Sequence, residues 1–263
     1  MTVVRLAEDP GASARDITQA VVTDLALSSR ALRIANSAYY GLSRQVSTVG
    51  EAVLILGARA LRDLAIAAAS APILHLDTSG YGMARGALWK HSIGVAVTAQ
   101  TLAKRVRGVR QAEAFTAGLL HDVGKVVLHQ HVAAQMQAIL AFAELDSLSF
   151  VEAEKFVLGF DHAETGAHVA EKWNLPSELC QAIGGHHHGE GASSDAKLAA
   201  VVHIANALSA AEGLQAAIAG QEAGPDEEAV EALGLTTDAL EAVQSEVLAC
   251  LDKGADAFRL MAA

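Results

Sequence analysis

In Gly118-Leu119-Leu120-His121-Asp122-Val123-Gly124-Lys125 an imidazole and a carboxylate stand side by side behind small and apolar residues, and a glycine follows closely. Neighbours inside a helix project about 100° apart, so His121 and Asp122 cannot converge from a helix interior. At a helix end, where the backbone bends, they can. Neutral imidazole with ionised carboxylate suits divalent metals of intermediate hardness such as Zn, Fe or Mn. A lone His-Asp pair says little, but His91 precedes this one, and His162, His186 and His187 follow it. Asn206 comes later, a polar residue within the apolar run from Val201 to Ala207.

Each residue alone has an ordinary explanation. His91, in Leu88-Trp89-Lys90-His91-Ser92-Ile93, reads as a buried ring on an apolar helix. His162 follows Asp161 at a helix start, and His186-His187-His188 would complement a helix C-terminus. Asn206 reads as a buried amide bonded to a neighbour. The order carries more than the parts. A His, a His-Asp, a His, a His pair and a late polar residue, each from a different helix, is how helical bundles assemble metal sites from inward-facing side chains. His203 lies three residues before Asn206 on the same helical face and is a candidate to orient a ligand. His129 and His131 read as surface residues and His75 as a loop residue, while His168 projects away from the face of His162.

The elements that must position these side chains are helices. Hydrophobic residues make up 52% of the chain, aromatics only 4%, and four prolines occur in 263 residues, which favours helix over sheet. Ser13 with Asp16, Thr48 with Glu51, Ser149 with Glu152 and Asp161 with Glu164 are helix-start signals. Gly41, Gly57, Gly108, Gly159 and Gly184-Gly185 follow apolar periodic runs as stops. The expected fold is all-α. Helices are predicted at about 14–23, 25–37, 49–56, 58–71, 81–106, 110–121, 124–142, 149–158, 161–173, 177–188, 195–212 and 237–260. They group as a smaller N-terminal lobe over 1–78, a helical bundle over 79–212, and an acidic linker with a C-terminal helix over 213–263. Docking of that last helix on the core is the expected arrangement, with a homodimer through it as the alternative.

Charge and cysteine usage narrow the class. The net charge is -11, and residues 161–263 carry 17 of the 30 acids but 4 of the 19 bases. Such a balance argues against nucleic acid as a partner. The basic cluster from Lys104 to Arg110 reads as a solvated helix end. Arg59, Arg62 and Asp63 interrupt the most apolar stretch, and no leader pattern opens the chain, so no membrane association is expected. Cys180 and Cys250 read as reduced, buried thiols, consistent with a cytoplasmic protein.

The ordered motifs resemble the HD superfamily of metal-dependent phosphohydrolases, and most closely its HDOD branch. In the N-terminal half the resemblance rests on Arg30-Ala31-Leu32-Arg33-Ile34-Ala35-Asn36-Ser37-Ala38-Tyr39-Tyr40-Gly41 and Ala52-Val53-Leu54-Ile55-Leu56-Gly57. In the second half it rests on Trp89-Lys90-His91-Ser92, the stretch from Gly118 to Lys125, Gly159-Phe160-Asp161-His162-Ala163-Glu164-Thr165-Gly166-Ala167, and His186-His187. It extends to about residue 210 and implies an HD-like helical bundle behind the N-terminal lobe. It further implies that His91, His121 and Asp122 hold a first divalent ion, with Asp122 bridging to a second held by His162, His186 and His187. The ions implied are Fe, Mn, Zn or Mg, and Lys125 matches a lysine near bound phosphate. Asn206 stands where catalytic relatives have a carboxylate, and an uncharged amide binds a cation more weakly. The Gly-Tyr-Pro motif of related cyclic-dinucleotide phosphodiesterases is replaced by Gly189-Glu190-Gly191-Ala192-Ser193-Ser194.

Two functions follow as expectations. The HDOD branch is generally regarded as regulatory, so the first is a bacterial signal-transduction module with a degenerate metal site, acting through contacts with a protein partner and not hydrolysing substrate. On this reading the Asn36–Gly41 loop, with Arg30, Arg33 and Arg44, would face the old site. The second is a divalent-metal phosphohydrolase acting on a nucleotide or phosphodiester, in which Asp122 and Lys125 serve catalysis.

Overall fold

The computed structural model describes residues 2–37, 40–42, 44–131, 133–145, 148–187, 194–211 and 224–262. Among them every regular element is helical. The chain divides into two compact units, Met1–Pro72 with Ser245–Ala263, and Ile73–Gln244.

The first unit is built from α1 (Thr2–Glu8), α2 (Ala14–Val22), α3 (Leu25–Ala35) and most of α4 (Val49–Leu74), with the end of the last helix, α14 (Thr237–Ala262). Ser13 and Asp16 cap α2 reciprocally, and the Asp24 carboxylate accepts from Leu27 N to start α3. Gly57 breaks α4 with φ 74° and ψ 165°, a backbone state open chiefly to glycine, so two helices meet there as the spacing predicts. Helix α4 then runs past Pro72 instead of stopping at it. Helix α1 has no cap-like start and was not anticipated; it buries Val3. Val21, Ala31, Ala35, Ala52, Leu61 and Leu64 form the core. The Asn36 amide closes the following loop by donating to Val46 O and accepting from Val46 N. Arg44 forms an exposed ion pair with Glu51.

The second unit holds the metal-type residues. A 3-10 turn at Ser79–Tyr81 precedes α5 (Ala87–Ala103), α6 (Gln111–Leu120), α7 (Val123–His131), α8 (Ala133–Leu145), α9 (Phe150–Leu158), α10 (His162–Lys172), α11 (Ser177–Gly184), α12 (Ser194–Ala211) and α13 (Glu227–Ala232). Helix α5 is the central rod. Leu88, Trp89, Ile93, Val95, Ala96, Ala99 and Leu102 are all buried, and only the face of Lys90, Val97 and Gln100 is left partly open. It packs against α6 and α12. It starts later than the apolar pattern suggests because Gly82 and Gly86 are both left-handed, at φ 67° and 77°. The single helix expected over 124–142 is two, α7 and α8, with residue 132 outside the described residues. Of the expected linker, residues 213–223 lie outside the described residues, while Asp226 caps the short helix α13.

Two close approaches set the site's geometry. A Cβ on Gly118 would lie 3.0 Å from Ala96 Cα and from Val95 O, so α6 rides directly on α5. A Cβ on Gly124 would lie 1.9 Å from His162 O and 2.7 Å from Gly166 N, so α7 meets the start of α10 backbone to backbone. Glycine is required at 124 because nothing larger fits.

Candidate metal centre

Five elements deliver the six side chains. His91 comes from the second turn of α5, and His121 and Asp122 form the bend between α6 and α7. His162 is the first residue of α10, and His186 and His187 follow α11. The bend lets adjacent residues converge, as the spacing argument required. His91, His121, Asp122, His162 and His186 are all buried, and His187 is half-buried.

The donor atoms face one another around Asp122. Its Oδ2 lies 3.4 Å from His121 Nε2 and 3.7 Å from His91 Nε2, and those two nitrogens are 3.2 Å apart. Its Oδ1 lies 3.3 Å from His162 Nε2 and 3.7 Å from His186 Nε2. His187 Nε2 is 2.8 Å from His162 Nε2. The side chains thus form two triads of a kind that could hold a metal ion, His91-His121-Asp122 and His162-His186-His187, each with donor atoms within 4.8 Å of one another.

The opposite ring edges are anchored. His121 Nδ1 donates to Gly118 O at 2.8 Å, and His186 Nδ1 donates to Ile183 O at 2.7 Å. His162 Nδ1 lies 2.6 Å from Glu154 Oε2. With Nδ1 protonated, each Nε2 lone pair points inward, the tautomer that metal-ligating histidines adopt. Two buried polar atoms, Asp122 Oδ1 and His186 Nε2, have no hydrogen-bond partner. Leaving such atoms bare costs about 1–3 kcal/mol each, and a divalent cation among them would satisfy both. The residues therefore fit a metal.

Lys125 is as buried as Asp122, at 1% exposure, and its Nζ lies 2.7 Å from Asp122 Oδ2. Asn206 is half-buried on α12, and the contacts above do not include it. His203 is buried; its Nδ1 donates to His186 O at 3.1 Å and its Nε2 accepts from Asp226 N at 3.3 Å, so it steadies the backbone that presents His186. His129 is partly buried and accepts from Gly80 N, whereas His131 and His168 are exposed. His75 stacks on Trp89. Cys180 is buried and free, away from these contacts; the Cys250 side chain and His188 lie outside the described residues.

Sequence reasoning missed Glu154. It is buried on α9 beside Phe150, Val151 and Ala153. A carboxylate on the apolar face of that helix, eight residues before His162, was the available signal.

Burial alone would push the Asp122 carboxyl up, but His121 and Lys125 beside it hold it well below the usual carboxylate range. Burial pushes His186 and His187 well below the usual imidazole range, reinforced by His121 for the first and His186 for the second. His162 moves up: burial and Lys125 oppose its charging, but Glu154 and Asp122 outweigh them. Below the unfolded value of 6.5, the unfolded chain binds protons that His186 and His187 refuse, so each costs stability as the pH falls. His162 has the opposite sign: its contribution is complete below 6.5 and is lost as pH rises through its raised folded value. Asp122 keeps its contribution until the pH falls below the unfolded value of 3.8. With two depressed rings against one raised, metal-free protein should lose stability between pH 7 and pH 5, read as a falling urea midpoint. A midpoint that rises over that interval would mean that His186 and His187 are not held neutral.

The HDOD domain family profile matches residues 1–189. A Treponema pallidum (strain Nichols) protein of uncharacterised function is 27% identical over 192 residues, covering 72% of this chain but only 36% of that protein. The chain thus spans about a third of the length of that curated relative. An HDOD domain protein of unknown function from Geobacter sulfurreducens superposes with TM-score 0.68 at 24% identity, covering 98% of this chain and 89% of the other. A Shewanella amazonensis SB2B protein that carries a provisional phosphohydrolase name gives 0.70 at 26% identity, covering 98% and 91%. A Marinobacter aquaeolei VT8 protein provisionally named for signal transduction gives 0.76 at 23% identity, covering 100% and 58%. Among the described residues no helix is long and apolar enough to cross a membrane. With the family profile covering well over half of its length, this chain belongs to the HDOD domain family.

Proposed function

We propose that the chain is a bacterial signal-transduction module that acts through contacts with a protein partner, its histidine–aspartate cluster holding one or two divalent cations as a structural or regulatory element. The observation that carries this reading is the state of Lys125. Its ammonium is buried and engaged with Asp122 Oδ2 at 2.7 Å, so its charge is already neutralised and is not presented to a phosphate. Asn206 adds to it, since an amide there supplies no charge to a metal. A donor set of five imidazoles and one carboxylate suits Zn or Fe, and Mn less well; Mg, which prefers oxygen, is the poorest match. Bound there, such an ion would supply positive charge and Lewis acidity, and His91, His121, Asp122, His162, His186 and His187 would hold it.

A second reading, a metal-dependent phosphohydrolase, is favoured by the six convergent donors. It is also favoured by the Shewanella amazonensis relative's provisional name. His203 makes the difference testable. It lies against the His186 carbonyl, and Asn206 is three residues further along α12, on the same face. By the family resemblance Asn206 stands where a metal-binding carboxylate would be, so Asn206→Asp is expected to tighten metal binding by roughly tenfold. Protein purified without chelator should carry metal yet leave bis-p-nitrophenyl phosphate and nucleotide substrates unhydrolysed. Turnover by the wild-type protein that disappears in His121→Ala would replace the signalling reading with the enzymatic one.

A further inference from the structure

Three of the rings are turned by different partners. His121 and His186 lean on backbone carbonyls, but His162 leans on a buried carboxylate. Glu154 Oε2 lies 2.9 Å from the His162 backbone nitrogen as well as 2.6 Å from its Nδ1, and Glu154 Oε1 lies 2.7 Å from the Tyr81 hydroxyl. The Tyr81 hydroxyl donates to Oε1 and the His162 backbone N–H to Oε2, so both oxygens of the carboxyl group are already held as acceptors. The carboxylate accepts, and the His162 ring must then carry its proton on Nδ1. Its Nε2 is left facing Asp122 Oδ1 at 3.3 Å and His187 Nε2 at 2.8 Å.

Tyr81 is itself fixed. It is fully buried at the end of the 3-10 turn and packs against Phe150 of α9, with ring centroids 5.5 Å apart. The preceding residue, Gly80, donates its N–H to His129 Nδ1 on α7 at 3.1 Å. The chain from Tyr81 through Glu154 to His162 thus joins the 3-10 turn, α9 and α10 by buried hydrogen bonds.

We propose that Glu154, clamped by Tyr81, is the positioning residue for the second half of the metal centre, fixing His162 as its Nδ1–H tautomer with Nε2 turned to the ion. This deepens the metal-binding reading above and rests on it. A charged partner makes His162 a more strongly donating ligand than a ring held by a carbonyl. Glu154 touches neither ion nor substrate; it acts through His162 alone.

The test uses full-length protein labelled with 15N-histidine, treated with chelator and held at a pH above the raised His162 value, so that the ring is neutral. Long-range proton–nitrogen spectra read the tautomer of each ring, with the His162 signals assigned by their loss in His162→Asn. Wild-type protein is expected to show His162 protonated at Nδ1, and Glu154→Gln to show a mixture of tautomers. In zinc titrations followed by a competing chelator, Glu154→Gln should weaken the second binding step by about 10- to 100-fold and leave the first within about twofold. Tyr81→Phe, which keeps the ring against Phe150, should weaken the second step by about fivefold. A Glu154→Gln protein with the wild-type tautomer and both zinc steps unchanged would overturn the proposal. Should Glu154→Gln fail to fold, an unchanged second step in Tyr81→Phe would overturn it as well. If wild-type protein takes up no zinc, the metal-binding reading fails, and the tautomer of the metal-free protein still decides the role of Glu154.

Discussion

Asp122→Asn is expected to destabilise the metal-free protein by about 3–5 kcal/mol, the range measured when one partner of a buried ion pair is removed. The cause is Lys125, whose ammonium would remain buried with its counter-charge gone. Chemical denaturation measures the loss. The double variant Asp122→Asn with Lys125→Met should recover much of it, because a buried pair replaced by apolar or neutral groups of similar shape is often close to neutral. Metal binding should not recover in the double variant, since Asp122 is the residue whose two oxygens face both triads. A single variant as stable as wild type would show that Lys125 reaches water or another anion, and the argument from its neutralised charge would fall.

Gly124→Ala is expected to cost about 3 kcal/mol or more, at the upper end for overpacking. A methyl group at 124 would meet the His162 carbonyl oxygen at 1.9 Å and the Gly166 nitrogen at 2.7 Å. Both obstacles are backbone, so a rotamer change relieves neither. Helix α7 must move off α10, and the distance between Asp122 and His162 changes with it. The fall in stability should therefore come with loss of the second metal-binding step. Gly50→Ala is the control: its new methyl would lie 3.9 Å from Thr18 Cγ2, an ordinary contact, and stability should change by less than about 1 kcal/mol. Equal effects at 124 and 50 would contradict the close helix crossing.

The helices were legible because their signals are local. The Ser13–Asp16 and Ser149–Glu152 boxes, the Gly57 break and the Gly159 stop each depend on a few neighbouring residues, and each is present. The six metal-type residues were legible for a different reason. Imidazoles placed in apolar helices are costly unless something uses them, and their order along the chain matched a known arrangement. Asp122 as the meeting point of both triads followed from that resemblance alone. What could not be read depends on contacts distant in sequence. Glu154 looks like an ordinary charged residue of α9 until the end of α10 folds against it. Tyr81 falls in a stretch that reads as helix, but left-handed Gly82 and Gly86 delay α5, and the Tyr81 hydroxyl meets Glu154 seventy-three residues along the chain. The resemblance implies a phosphate-side role for Lys125, and its pairing with Asp122 at three residues' separation shows only in three dimensions.

The central claim, that side chains spread from His91 to His187 form one metal centre through Asp122, is tested most directly by metal content. Chelator-treated protein is loaded with zinc, passed through gel filtration and assayed by elemental analysis, beside Asp122→Asn carrying Lys125→Met. The account predicts one to two equivalents retained by wild-type protein and essentially none by the double variant. Equal retention by both, or none by the wild type, would contradict it.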